Sequence, residues 1–462
     1  MQRVGTFIIE GLDPYLQPPS ALTTHRPLGR ARQAEKEQSL KRFRSTSSWH
    51  RRAGVRDYFA GTTIDTFGAE ITAVAIPLVA ISVLSASDTW VVAIESATLW
   101  AGVLLALPLG WLADSRPKRA FLVGANTGSA LLLLLLVLVL VSDSMTVWLL
   151  LAFGLALAVL SMIRDLTAGA VLPLLLPKDE LAPANARING VVTVAEVSGG
   201  GVAGAIISAL GSVGGLLTNM GTFLLSAFFF ARMSSLSVPR TKVEDTGVSA
   251  KSAIREILSG AKVVKRDSRL FRIVGFAATS NAFSTMAGSV EIIFLVRNLE
   301  VSAFGVGIAF SISALGGVIG GLLLPALTRG LGAIRMMFWG QLVLILPMLL
   351  LPLASPGPGV ILYLVAWFFY SLSSVIYNTG SDIYRQTVVP EGLLGRVGAL
   401  GLWVGSAACL IGSGVAVALV AFASVWVTVL VSSLGIVLSS LWLMTPLFFS
   451  APRDLSSELT GS

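Results

Sequence analysis

Carboxylic acid side chains interrupt long apolar stretches of this sequence at Asp65, Glu70 and Glu196. A charge at the centre of a bilayer costs at least about 2.5 kcal/mol, so such residues usually face a cavity or a partner. The two histidines, His25 and His50, precede the first apolar stretch, so a proton carrier inside these stretches must be a carboxylate. Glu70 lies about halfway along its stretch. We predict that it is the leading proton-coupling group, with Asp65 and Glu196 behind it.

A structural role for these carboxylates is the alternative. Thr66 precedes Glu70 by four residues, which places the two side chains on one face of a helix. A hydrogen bond between them would tie the helix together without any part in transport. Two further acidic residues, Glu95 and Glu291, lie nearer the ends of their stretches, where water can hydrate them.

The stretch 363–384 contains four of the six tyrosines in the chain, each seven residues after the last: Tyr363, Tyr370, Tyr377 and Tyr384. Seven residues is about two helical turns, so the four rings drift by only about 20° per step and share one face of a helix. The first and the last lie near the ends of the stretch. Tyrosine is enriched at membrane interfaces for reasons unrelated to a substrate.

The middle of this face combines aromatic rings with hydroxyl groups. We predict that it forms a wall that stacks on an apolar or cationic ligand, through Trp367, Tyr370, Ser374 and Tyr377. The alternative is helix packing, in which the hydroxyls bond across an interface. Another polar face lies on stretch 271–296, where Ser284 and Glu291 are in line with each other. These two residues are further candidates for the substrate site.

The composition is that of an integral membrane protein. Of the 462 residues, 54% are hydrophobic and 13% charged, and the mean hydropathy is +0.81. A soluble domain carries roughly 25% charged residues. The apolar runs are close to the roughly 20 residues of a membrane helix, whereas a barrel would show segments of about 10 residues with alternating polarity. The sequence therefore predicts an all-α membrane protein.

Neither an enzyme nor a cofactor-binding protein is predicted. No nucleophile, base and orienting group recur at spacings that would bring them together, and the sequence has no ATPase phosphate-binding loop. The single cysteine, Cys409, cannot form an internal disulfide or a cysteine metal site. The pI of about 9.9 requires no nucleic-acid partner, because the basic residues concentrate in predicted inside loops beside anionic lipid.

Apolar windows of about 20 residues predict twelve transmembrane helices. They fall at 58–84, 90–113, 119–142, 146–168, 187–209, 213–235, 271–296, 304–327, 333–353, 359–382, 397–420 and 424–449. Lys and Arg concentrate on the cytoplasmic side of membrane proteins. With the N-terminus inside, every Lys and Arg except Arg297 falls at an inside segment. Both termini are therefore predicted to be cytoplasmic.

The longest inside loop divides the chain into two pseudo-symmetric six-helix bundles. Similar segments around Pro177 and Pro390 follow the fourth and the tenth predicted helix, which indicates a duplication. A basic, disordered tail is predicted at the N-terminus, although a wrongly chosen start codon explains it equally well. The predicted parts are the tail 1–56, the bundle 57–236, the linker 237–270, the bundle 271–449 and the tail 450–462.

The turn GWLADSRPKR, residues 110–119, resembles a signature motif of the major facilitator superfamily. The matching positions are Gly110, Leu112, Ala113, Asp114, Lys118 and Arg119, whereas Ser115 and Pro117 depart from the motif. The resemblance implies the twelve-helix major facilitator fold, with the first, fourth, seventh and tenth helices around a central cavity. It also implies that Gly110 allows close helix packing and that Asp114 meets the start of the eleventh helix.

Residues 168–186 and 385–400 look like the branch of this superfamily that contains the bacterial enterobactin exporter and macrolide-efflux proteins. That resemblance implies rocker-type alternating access, proton coupling and export. One antiporter motif departs in the fifth helix, where Gly200, Gly201 and Gly204 occur without the usual proline. Close packing of this helix is still expected, because small residues let helix backbones approach each other.

Arg164 and Asp165 lie near the inner end of the fourth predicted helix. Adjacent residues point about 100° apart on a helix, so the two cannot simply neutralise each other. We predict that Asp165 pairs with Lys118 or Arg119 and latches the outward-facing state. The alternative is that the charges contact water and lipid headgroups.

These features predict a secondary active transporter, most simply a proton-coupled exporter of small amphipathic organic molecules of the drug, antibiotic or siderophore class. The expected partners are a small-molecule substrate, protons and the lipid bilayer, with no cofactor or metal. The chain is expected to be a monomer in a bacterial plasma membrane. Two alternatives stay open: proton-coupled uptake by the same fold, and a non-transporting receptor or assembly factor, against which the intact basic turn argues.

Overall fold

The computed structural model describes residues 53–233 and 260–444, and every regular element in these two ranges is helical. The long helices are α1 (Ala53–Leu78), α2 (Asp88–Ser115), α3 (Lys118–Val141), α4 (Val147–Gly169), α5 (Lys178–Arg232), α6 (Ser268–Ile293), α7 (Ala303–Leu331), α8 (Ala333–Leu344), α9 (Val360–Val388), α10 (Glu391–Phe422) and α11 (Val425–Ser439). The predicted all-α class is confirmed for this part of the chain.

Polar residues set several of the helix starts. Thr146 accepts a hydrogen bond from the Leu149 N–H at the start of α4, and Asp267 accepts from Arg269 and Leu270 at the start of α6. Such caps satisfy backbone N–H groups that have no partner within the helix. α8 and α11 are extended by the 3₁₀ segments Leu346–Leu353 and Ser440–Trp442.

The helix α5 is 55 residues long and is interrupted at Gly211, where φ is 72° and ψ is 174°. That backbone conformation favours glycine, so the break falls where the sequence supplies one. We call residues 178–210 the first arm and residues 212–232 the second arm. The break lies between the fifth and sixth predicted helices, as the apolar windows indicated.

Ten helices among the described residues are long and apolar enough to cross a membrane. The two arms of α5 count there as one helix, and the more polar α6 is not among the ten. Large apolar side chains cover the outer surface, including Leu104, Leu131, Trp148, Leu402 and Phe422, each more than half exposed. Such a surface needs lipid rather than water around it. The chain is a multi-pass membrane protein.

Consecutive helices run in opposite directions and define two ends of the bundle. We call one the basic end, because it holds the turn 116–117 beside Lys118 and the turns at Pro177, Gly332 and Pro390. The opposite or far end holds the turns 85–87, 142–146, 299–302 and 423–424. We refer to α1–α5 as the N-half and to α6–α11 as the C-half. Pro177 and Pro390 both immediately precede a helix, α5 and α10.

Two predicted boundaries need correction. α1 begins at Ala53, so the last residues of the predicted tail 1–56 are helical. Residues 260–266 are also helical, and α6 begins at Ser268, both inside the predicted linker 237–270. Asp267 explains the second shift, since its carboxylate caps the helix there. The rest of that linker and of both predicted tails lies outside the described residues.

Candidate functional site

A cavity of about 850 Å³ lies between the first arm of α5 and α7. Residues from α1, α6 and α9 complete its wall. The side chains that matter most for its character are Glu70, Glu291, Trp367, Phe310, Val194 and Val318. We call it the main cavity. Most of its lining is apolar, so the two carboxyl groups stand out as its charged members.

Glu70 reaches this cavity from α1, where it packs against Gly199 of α5. A Cβ atom added to Gly199 would lie 2.6 Å from the Glu70 Cγ atom. Glycine at this position therefore makes the room that the carboxylate occupies. The hydroxyl of Thr66 donates to the Thr62 carbonyl (2.9 Å), so its proton is not directed at Glu70 as a tie between the two would require.

Glu291 reaches the same cavity from α6 and accepts a hydrogen bond from the Tyr363 hydroxyl. The ring of Trp367 follows Tyr363 by one turn of α9, with 6.5 Å between ring centroids, and lines the cavity. Two predicted substrate residues, Glu291 and Trp367, are thus brought together with the predicted proton carrier Glu70. They come from both halves of the chain.

The tyrosine stripe of α9 faces α6 along its whole length. Beyond Tyr363, the hydroxyl of Tyr370 lies beside Ser280 and Ser284, and two more bonds follow toward the basic end. Tyr377 donates to the Ile273 carbonyl (2.7 Å), and Tyr384 donates to the Asp267 carboxylate (3.1 Å). The seven-residue spacing therefore matches an antiparallel neighbour, which is the packing alternative for this face.

The predicted aromatic wall is divided between separate spaces. Trp367 lines the main cavity, whereas Tyr370, Ser374 and Tyr377 line a polar pocket of about 60 Å³ inside the C-half. Tyr377 also borders a second cavity of about 400 Å³ between α2, α6, α9 and α10. The roles of these four residues toward a ligand stay predictions.

Asp65 forms an ion pair with Arg164 of α4 rather than facing the main cavity. The Arg164 Nε atom lies 3.1 Å from the carboxylate, and the guanidinium also donates to Ser129 (2.7 Å) and covers the Phe223 ring at 4.6 Å. Only 4% of the Arg164 side chain and 17% of the Asp65 side chain are exposed. This buried cluster joins α1, α3, α4 and α5.

The basic turn after α2 has partners of its own. The Lys118 ammonium donates to the Ala113 carbonyl (2.7 Å), and the Arg119 guanidinium donates to the Ala231 carbonyl of α5. The side chain of Asp165 is exposed. In this conformation Arg119 binds Ala231, and its pairing with Asp165 stays a prediction. The backbone of Asp114 lies in the last turn of α2, but its side chain is outside the described part.

Gly110 does not pack closely here. A Cβ atom added to it would meet no described atom within 4 Å. The close helix packing expected at Gly110 is therefore not found among the described residues in this conformation. Instead, α2 touches α10 nearer the far end, where Trp100 donates to Ser413 (2.8 Å). Glu196, the third predicted proton carrier, lies on the first arm of α5 with its side chain outside the described part.

Close contacts join the two halves near the far end. The first arm of α5 crosses α7 there, so that a Cβ atom added to Gly204 would lie 2.6 Å from the Ala303 carbonyl oxygen and 3.0 Å from the Gly307 Cα atom. The Gly201 N–H also donates to Ser311 (3.0 Å). The close packing expected for the glycines of this helix is confirmed, because only glycine lets the backbones approach so nearly.

Arg297 lies in the π-helical segment Phe294–Asn298, which follows α6 at the far end, and adds an ionic contact between the halves. Its guanidinium donates to the Asp88 carboxylate and to the Ala86 carbonyl (2.6 Å), both in the N-half. The second cavity extends toward the opposite, basic end. Leu270 and Val397 line it there, and both lie within the first two turns of their helices. The halves are thus joined at the far end, and a cavity reaches the basic end.

No group of three or more His, Cys, Asp or Glu side chains among the described residues is placed to hold a metal ion. A sequence model of the Major Facilitator Superfamily matches residues 58–413. The chain belongs to this superfamily. The protein is accordingly a transporter and not an enzyme, and the major facilitator architecture implies a small-molecule substrate in a membrane.

Solved structures of other transporters have the same fold as this major facilitator protein. A mutant of the nucleoside transporter NupG superposes with a TM-score of 0.66 at 13% identity, over 86% of this chain and 100% of that one. A bacterial homologue of the iron transporter ferroportin in an inward-facing state gives 0.64 at 17% identity, over 85% and 98%. A POT family transporter in complex with 5-aminolevulinic acid gives 0.65 at 12% identity, over 86% and 97%. No curated protein sequence matches the chain significantly.

Sequence reasoning did not predict the ion pairs of two arginines in this major facilitator protein. Arg164 could have been found as the partner of Asp65, because a buried charge requires an opposite charge nearby. Arg297 stood out as the single basic residue on the far side, and that isolation was the available signal for a specific contact. The partners Asp88 and Ala86 carry no sequence signal of their own.

Proposed function

We propose that this major facilitator protein exports small amphipathic organic molecules by alternating access, coupled to protons. The observation that carries the proposal is the main cavity of about 850 Å³, with Glu70 and Glu291 on mainly apolar walls. Apolar walls with a few polar groups are typical of small-molecule sites. A carboxyl group on such a wall can exchange its proton for a ligand.

The proposed membrane arrangement has twelve spans in two bundles. It counts the two arms of α5 as separate helices, because Gly211 breaks α5 between them. It also includes α6, because the polar face of that helix packs against the tyrosines of α9. The basic end is assigned to the cytoplasm on the distribution of Lys and Arg. We propose a monomer in a bacterial plasma membrane, with both termini in the cytoplasm.

In the proposed cycle, this structure represents the inward-facing state. The glycine crossing of α5 and α7 and the ionic contact of Arg297 close the far end, while the second cavity extends to the basic end. Rocking of one half against the other would break the far-end contacts. The basic end would then close, and there Asp165 is proposed to meet Lys118 or Arg119.

Glu70 is the proposed proton-coupling group, since its carboxyl group lines the main cavity. Glu196 is a second candidate on the neighbouring helix α5. Asp65 is better suited to a supporting role, because its ion pair with Arg164 holds α1 against α4. A change at Asp65 should therefore alter stability as well as transport.

The experiment is a substrate-dependent pH change in proteoliposomes that contain a pH-sensitive dye. A panel of amphipathic compounds with cationic, neutral and anionic members is added, and the direction of proton movement separates export by exchange from uptake. Glu70→Gln should abolish proton movement and leave substrate binding measurable. Glu300→Gln, an exposed carboxylate at the far end, serves as the control. Proton movement at the parent rate in Glu70→Gln, or none with any compound in the parent, would reject the proposal.

A further inference from the structure

The charges of the main cavity have one sign. Among the described residues that line it, the charged side chains are Glu70 and Glu291, and neither Lys nor Arg takes part. We infer that this cavity recognises organic cations. The inference rests on the proposed function and specifies its substrate class, which the fold alone leaves open because the same fold transports different ligands.

The second cavity gives a contrast within the same molecule. Among the described residues that line it, the charged side chains are Asp382 and Arg385, which pair with each other at 2.9 Å. The charges there cancel locally, so that space has no net charge to offer a ligand. The negative character of the main cavity is therefore a local property and not a general feature of the spaces between the helices.

Both carboxyl groups of the main cavity are held in built surroundings. Glu70 occupies the space that Gly199 leaves open, so its position depends on a glycine of the neighbouring helix. Glu291 accepts the hydroxyl of Tyr363, which is itself 1% exposed and fixed on α9. Side chains fixed in this way lose little conformational entropy when a ligand binds.

The two groups belong to different halves, since Glu70 lies on α1 and Glu291 on α6. A cation in the cavity would therefore interact with both halves at once. A ligand shifts a conformational equilibrium only through different affinities for the two states. A charge placed between two carboxylates provides such a difference, because rocking of the halves changes both distances.

The remaining wall fits the organic part of such a ligand. Trp367 presents an indole ring to the cavity, and a cation over an aromatic face is attracted by its quadrupole. Phe310 and Val318 of α7 provide apolar surface beside it. The volume of about 850 Å³ lies in the range of sites for drug-sized molecules. Size, apolar wall and charge together describe a bulky, apolar cation.

Two ions of nearly equal shape and opposite charge test this inference directly. Tetraphenylphosphonium is the cation and tetraphenylborate is the anion, so a difference between them reports charge recognition. Binding is measured at equilibrium with the full chain in nanodiscs, without a pH gradient, and empty nanodiscs correct for partition into lipid. We expect the parent to bind the cation at least tenfold more tightly than the anion.

Four variants locate the effect in the cavity. Glu291→Gln should weaken tetraphenylphosphonium binding at least tenfold, and Glu291→Asp, which keeps the charge, should recover most of it. Glu300→Gln removes an exposed carboxylate outside the cavity and should leave the affinity at the parent value. Equal melting temperatures of the variants show that folding is retained, and Glu70→Gln gives a second reading if Glu291→Gln fails to fold.

Equal binding of both ions, binding of neither, or tetraphenylphosphonium binding at the parent affinity in both Glu291→Gln and Glu70→Gln would overturn the inference. Its failure is distinguishable from failure of the proposed function. Proton-coupled transport of a neutral or anionic compound would keep the transport proposal and reject cation recognition. Selective binding of tetraphenylphosphonium by a chain that moves no protons would keep cation recognition and reject proton-coupled transport.

Discussion

The glycine crossing between α5 and α7 can be forced open by one methyl group. In Gly307→Ala, the new Cβ atom would overlap the Gly200 carbonyl oxygen and lie 3.0 Å from the Gly204 Cα atom. Both obstacles are backbone atoms, so no side chain can rotate to make room. The two helices must separate at the far end.

The size of the effect follows from these distances. Carbon atoms in ordinary contact are about 3.5–4.0 Å apart, so the backbones must move by roughly 0.5–1 Å. Overpacking of this kind costs about 1–3 kcal/mol. The strain is present only while the far end is closed, so the ratio of closed to open far ends should fall about 5- to 150-fold.

A distance measurement across the far end checks this prediction. Cys409, the single native cysteine, is replaced by Ser, and spin labels are attached at Ser208→Cys on α5 and Asn298→Cys after α6. Both positions are exposed and belong to different halves. Pulsed electron resonance should give mainly short distances in the parent and a larger population of long distances in Gly307→Ala.

The control lies on the same helix. A Cβ atom added at Gly330 meets no described atom within 4 Å, so Gly330→Ala should keep the parent distances. Gly204→Ala, on the opposite side of the crossing, should repeat the effect of Gly307→Ala. Unchanged distances in both crossing variants, with unchanged melting temperatures, would refute the idea that this contact holds the far end closed.

Two further predictions concern the arginines. Arg164→Met leaves the Asp65 carboxylate buried without its partner, so we expect the free energy of unfolding to fall by about 3 kcal/mol or more. The double variant Arg164→Met/Asp65→Leu should lose less, because it leaves no unpaired charge. Thermal unfolding in detergent measures both variants, and additive effects of the two substitutions would contradict the pairing. Arg297→Gln removes a half-exposed contact worth about 1 kcal/mol, so the ratio of closed to open far ends should fall about fivefold. The same spin labels measure this ratio, and an unchanged distance distribution would show that Asp88 contributes nothing to closure.

Much of this fold could be predicted from the sequence. A bilayer offers no hydrogen bonds, so each crossing must be a long apolar helix, and the windows of hydropathy fall close to the observed helices. The break at Gly211 is also local, because it depends on one glycine in a small-residue stretch. The turn 110–119 indicated the superfamily, since it is a continuous motif.

The assembly of the site was only partly predictable. Glu70, Glu291 and Trp367 were each selected from their own helices, but periodicity gives the face of a helix and not the neighbour that meets it. The stripe of tyrosines had two possible neighbours, a ligand or another helix. Tertiary structure placed all four members along α6, and three of them form hydrogen bonds there, to Glu291, Ile273 and Asp267.

Local sequence is enough to predict a helical membrane protein of the major facilitator kind, because burial in lipid acts on each segment separately and the motif at 110–119 is continuous. The packing of the helices was needed to show that Glu70 and Glu291 share a cavity while Asp65 pairs with Arg164. These partners are far apart in sequence. Their meeting depends on how the two halves pack, and that packing is set by backbone approaches such as Gly204 against Gly307, which no local pattern specifies.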